Sequence, residues 1–164
     1  IEALRLIGKY LVKSVEEPEN LEARGGMLVG SCLAGISFLK GLGFVHAISH
    51  MVGAEYDTQH GLTNAIVLPV VLRYNLPLLD EKRNHMADAL GMSDKTSDGF
   101  IGEIEAKLDR LNIPKSLGEI GVPFECASRI SEKAMLDSAA STNPVRGDVA
   151  SVKELVENSI KKAR

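Results

Sequence analysis

The chain has 164 residues, room for one domain with a sizeable core, and its 45% hydrophobic and 25% charged content is ordinary for a globular protein. A net charge of −3 argues against a nucleic-acid binder, which needs a basic patch. Aromatic residues are only 4% and Trp is absent, so the core must be aliphatic and packed around small residues.

From Ile1 to about Val15, the apolar positions Leu4, Ile7, Leu11 and Val15 alternate at helical spacing with Arg5, Lys9 and Lys13, predicting an amphipathic helix that Pro18 stops. Asn20 is a suitable N-cap for a second helix running to about Gly41. This helix holds Gly25, Gly26, Gly30 and Gly35. Each glycine costs about 1 kcal/mol against alanine in a helix interior. No strand precedes them, so they read as close packing rather than a phosphate loop. The uncharged run from Gly25 to Leu39 falls short of the roughly twenty residues a membrane span needs and predicts a buried core helix. Cys32 and Cys126 lack a Cys-x-x-Cys partner and read as buried free thiols in a reducing compartment such as the cytoplasm.

Next comes the stretch Gly43 to Gly61, which holds three of the four histidines, His46, His50 and His60, among small and apolar residues. Imidazoles in such surroundings need a hydrogen bond or a metal. His46 and His50 are four apart and share one face of a helix over Phe44 to Tyr56, a spacing that suits one divalent ion. A break near Glu55 and a new helix from His60 would return His60 to the side of His46. The plainer alternative is two core histidines bonded to carbonyls and one on the surface. Asp57, three residues before His60, either pairs with it or joins it on a metal; Glu55 and Asp57 read equally well as surface acids.

The helix from His60 runs through Tyr74, with a kink expected at Pro69. Asp80 is placed to cap a helix over Glu81 to Leu90, ended by Gly91, and His85 lies on its polar side. Ser97 to Leu111 is amphipathic, Leu117 to Gly121 a turn, and Glu125 to Ala139 a helix. After a turn over Asn143 to Gly147, Asp148 is placed to cap a last helix over Val149 to Lys162, with Leu155 and Ile160 inward. No strand is convincing, and the fold class is all-α: a compact multi-helix domain.

The order Gly43-x-x-His46-x-x-x-His50-x-x-Gly53, His60-Gly61, Asn64-Ala65, Leu68-Pro69 and Arg73-Tyr74-Asn75 resembles the iron-containing alcohol dehydrogenase family. Thr142-Asn143-Pro144 extends the likeness toward the C-terminus. The resemblance implies that residues 1–164 are that family's C-terminal helical domain, as in dehydroquinate synthase-like proteins. It implies Fe(II), or Zn(II) in some relatives, held by His46 and His60. It assigns His50 to proton relay beside the nicotinamide of NAD or NADP, whereas spacing alone pairs His46 with His50. The family's other two ligands come from an Asp-x-x-x-His motif absent from this sequence. The chain therefore reads as a fragment whose partner is its own N-terminal dinucleotide-binding domain.

Two functions follow. One is the metal-binding domain of an NAD(P)-linked enzyme, a homo-oligomer when whole, that interconverts a small alcohol with an aldehyde or ketone; the fragment alone would be inactive. The other is a stand-alone helical binding module without catalysis.

Overall fold

A computed structural model describes residues 1–162, with Lys162 by its backbone alone. The described residues form α1 (Glu2–Glu16), α2 (Leu21–Ser37), α3 (Phe44–Tyr56), α4 (His60–Asn75), α5 (Asp80–Leu90), α6 (Ser97–Arg110), α7 (Ala127–Leu136) and α8 (Val149–Lys162), joined by short 3-10 turns. No strand occurs among them. The chain divides into two compact units. One holds Ile1–Lys40 and Leu76–Leu111; the other holds Gly41–Asn75 and the described residues from 112 to 162.

In the first unit α1 packs on α2, and glycine makes the approach possible. A Cβ on Gly26 would sit 2.2 Å from the Tyr10 ring, and one on Gly30 would press on Ile7 and Leu6 at 3.1 and 3.2 Å. Asn20 caps α2 by accepting from the Ala23 N–H at 3.0 Å, satisfying a donor that the helix start leaves free. The rest of α2 corrects the expectation of a buried core helix. Leu28, Val29 and Ile36 are exposed, Leu39 beyond its end is 94% exposed, and nothing lies within 4 Å of a Cβ on Gly25 or Gly35. Cys32 is likewise exposed, and only Cys126 is the buried thiol expected of both. In α5, Asp80 is the first helical residue rather than a cap; its carboxylate binds Arg83 one turn on. Gly91 ends that helix in the left-handed conformation, φ 70°.

The second unit has an aliphatic core. Phe44, Ala47, Ile48 and Val52 of α3 meet Ile66, Val67, Val70 and Val71 of α4, Ile130 and Ala134 of α7, and Val152 and Val156 of α8. Pro69 lies inside α4, which runs without a break from His60 to Asn75. Two Asn side chains lock the start of α3 to the end of α4. Asn143 Oδ1 accepts from the Phe44 N–H at 3.1 Å and from Asn75 Nδ2 at 3.2 Å. Its own Nδ2 donates to Asn75 Oδ1 at 2.8 Å and to the Val145 carbonyl at 2.6 Å. The two buried amides satisfy each other, as low polarity around them requires. Only glycine fits at position 43: its φ is 85°, and a Cβ there would lie 2.9 Å from Asn143 Oδ1.

The helix expected over Glu125 to Ala139 is shorter. It is preceded by a 3-10 turn and stops at Leu136, because Asp137 turns extended and its Oδ1 takes the Ala139 N–H at 2.8 Å. Asp148 does cap α8, accepting from the Ser151 N–H at 2.8 Å. Among the described residues no single helix is long and apolar enough to cross a membrane.

Candidate metal centre

The site lies wholly in the second unit and is built by two helix faces. On α3 the apolar positions turn to the core, which leaves His46, Ser49, His50 and Gly53 on the other side of the helix. Asp57, left-handed at φ 52°, closes α3, and three residues later α4 begins at His60. That tight reversal brings His60 and, one turn further along the same face, Asn64 against the histidine side of α3.

The three rings form a triangle. Centroids are 5.3 Å apart for His46 and His60, 5.7 Å for His46 and His50, and 5.4 Å for His50 and His60, the last pair stacked at 18°. The sequence-predicted residues are thus brought together, and the return of His60 to His46 follows from the turn. Asn64 Nδ2 points at both outer rings, 3.0 Å from His60 Nε2 and 3.4 Å from His46 Nε2. An amide NH2 can only donate, so both Nε2 atoms are acceptors and their lone pairs converge on one point. The Ser49 hydroxyl, fully buried, donates to Asn64 Oδ1 and fixes the amide.

His50 is held differently. Its Nδ1 lies 2.9 Å from Asp137 Oδ2, so the ring donates to the carboxylate and its Nε2 is left as the acceptor. Burial by itself pushes the Asp137 carboxyl up, but the Ala139 N–H and His50 outweigh it and hold the group below its usual range. Burial is the first cause that lowers the His46 imidazole, and the neighbouring His60 and His50 rings lower it further. These shifts favour a neutral, ligand-competent His46 near pH 7.

Asp57 and Glu55 do not join the cluster. Asp57 serves as the C-cap of α3, and Glu55 is taken by Arg129 and Lys133. Among the described residues no group of three or more His, Cys, Asp or Glu side chains is arranged to hold a metal; His46 and His60 are the two rings whose Nε2 atoms face the same Asn64 amide. His85 is exposed on α5. Sequence reasoning missed Asp137, which is 87 residues from His50 and carries no local signal. It gave Ser49 no part, and it named Asn64 without a role, although the i, i+4 spacing from His60 was a usable sign.

The model of the Fe-containing alcohol dehydrogenase family, C-terminal, matches residues 1–160. The chain belongs to this family. It is 34% identical over 167 residues to an NAD-dependent methanol dehydrogenase from Bacillus methanolicus, covering 98% of this chain and 44% of that protein. It is 35% identical over 165 residues to a 1,3-propanediol dehydrogenase from Citrobacter freundii, covering 94% and 42%. Among solved structures, a 1,3-propanediol oxidoreductase aligns with a TM-score of 0.92 at 32% identity, over 97% of this chain and 44% of that one. An alcohol dehydrogenase from Oenococcus oeni aligns with a TM-score of 0.89 at 30% identity, over 96% and 43%. The chain therefore spans less than half the length of the relatives it matches.

Proposed function

We propose that residues 1–164 act as the C-terminal metal-binding domain of an NAD(P)-linked alcohol dehydrogenase that interconverts a small alcohol with its aldehyde or ketone. The observation that carries this reading is the convergence of the His46 and His60 Nε2 lone pairs on one point, with His50 beside them. Two neutral imidazoles suit a borderline divalent ion such as Fe(II) or Zn(II). When bound, such an ion supplies Lewis acidity toward an alcohol oxygen. Two protein donors are fewer than the three or four of closed and catalytic sites, so further ligands have to come from outside this pair.

His46 and His60 hold the ion. His50 handles the proton: its Nδ1–H is committed to Asp137, and its free Nε2 can accept from the substrate hydroxyl. The negative Asp137 carboxylate stabilises the imidazolium that results. The relatives that this chain matches are more than twice as long as it is, which leaves room for a separate dinucleotide-binding domain to hold the nicotinamide.

Iron(II) binding under anaerobic conditions tests the assignment. His46→Ala and His60→Ala should each weaken binding by at least about tenfold, the effect that even an outer partner of a ligand can have, whereas His50→Ala should leave the affinity nearly unchanged. Equal affinity in the His46→Ala/His60→Ala double variant would refute the reading.

A further inference from the structure

We propose that the open face of α2 is the seat of the part of the protein that precedes Ile1, docked there as an apolar helix whose backbone closes over Gly25 and Gly35. This rests on the reading of the chain as part of a longer dehydrogenase, and not on the histidine assignment. The first observation is the face itself. On the side turned to α1, Gly26 and Gly30 admit Tyr10, Ile7 and Leu6. The opposite side carries Leu28, Val29, Cys32 and Ile36, all exposed, and Leu39 continues the line past the helix end. No charged residue stands between Arg24 and Lys40. A helix face that ends at solvent normally carries charge, as α1 does with the exposed Arg5, Lys13 and Glu16. A contiguous apolar face without such charges marks a contact surface.

The second observation is the pair of glycines on that side. A Cβ on Gly25 or Gly35 meets nothing within 4 Å. Glycine weakens a helix and suits places where another backbone comes close, the part that Gly26 and Gly30 play toward α1. Gly25, Leu28, Cys32, Gly35 and Leu39 recur every three or four residues, the period of a seam between two helices. The third observation names the occupant. Tyr10 lies against Gly26, and Leu6 and Ile7 lie against Gly30, so α1 and α2 run antiparallel. Carried on, that register sets Ile1, itself exposed, level with Ile36 in the last turn of α2. The matching family model is the C-terminal one, and 98% and 94% of this chain cover only 44% and 42% of two relatives. In a protein of that length the remaining chain enters through Ile1, beside the open face. A segment tethered there meets the face at an effective concentration on the order of millimolar, well above that of a second copy in solution.

The test compares the 164-residue chain with the protein extended by the residues encoded upstream of Ile1. The probe is N-ethylmaleimide, with peptide mass mapping to read Cys32 and Cys126 separately. In the 164-residue chain Cys32, exposed in mid-face, should react at the rate of a free thiol, with the buried Cys126 as the slow internal reference. In the extended protein Cys32 should slow by at least about tenfold, the mark of a site that reacts only when the contact opens. Gly35→Leu supplies a change of sign. In the 164-residue chain it should raise the melting temperature by about 2–4 °C through helix propensity, since the added side chain meets open space. In the extended protein it should lower the melting temperature, because the same side chain collides with the docked backbone. Equal Cys32 rates in the two proteins, or a Gly35→Leu effect of the same sign in both, would overturn the proposal. So would protection in the extended protein that disappears on dilution, which makes a second copy the occupant, or a reading frame that opens at Ile1. The histidine assignment stands or falls separately, on iron(II) binding by the 164-residue chain.

Discussion

Asp137 serves two neighbours at once: Oδ1 receives the Ala139 N–H and Oδ2 the His50 ring. Replacing it with alanine removes a turn-capping bond and the anchor of the imidazole. We expect Asp137→Ala to cost about 1–3 kcal/mol in urea denaturation and to move the His50 proton from Nδ1 toward Nε2. A His50 ring that keeps its Nδ1–H in the variant would show that Asp137 does not orient it. His46 gives the pH prediction. Its folded pKa is depressed, mainly by burial, so the unfolded chain takes up a proton first as pH falls. The contribution of neutral His46 is complete above about pH 6.5 and is lost as pH falls from there through the folded value. Stability measured from pH 7.5 to 5 should therefore decline, and His46→Gln should flatten the decline. Asp137 is also depressed, but in the carboxylate range; its contribution persists until pH drops below about 3.9.

At the scale of elements, boundaries set by neighbouring residues were legible. Pro18 precedes α2, Asn20 caps it, Gly91 closes α5 and Asp148 caps α8, each through a bond or a dihedral within a few residues. The end of α7 was not legible, because Asp137 leaves the helix to bind a histidine far away in sequence. Asn20→Ala and Asn143→Ala separate local from long-range roles. The first should cost about 1 kcal/mol, the usual worth of a cap. Asn143→Ala strands the Phe44 N–H, the Asn75 amide and the Val145 carbonyl in a buried place, so it should cost well over about 2 kcal/mol in the same denaturation experiment. It should also loosen the histidine helix, seen as faster amide exchange in the first turn of α3. Equal costs for the two variants would show that the Asn75–Asn143 pair is no more than a surface bond.

For the whole chain, the expectation is metal binding without turnover. Incubated with iron(II), NAD and a short-chain alcohol, residues 1–164 should produce no NADH, since nothing described in them forms a dinucleotide site; NADH above background would overturn this. The order of residues alone determined the helical class, most helix limits and the three histidines worth watching, because hydrophobic period, caps and glycine or proline stops act over a turn or two of chain. Spacing alone favoured His46 with His50, an adjacent pair on one helix. Tertiary structure decided the rest. The reversal at Asp57 set His60 opposite His46, Asn64 and Ser49 filled the space between them, and Asp137 took His50 from across 87 residues. It also decided that α2 keeps an open apolar face, where composition predicted burial. The physical reason is the same in each case: which side chains meet is set by how helices dock, and docking depends on distant residues that no local pattern encodes.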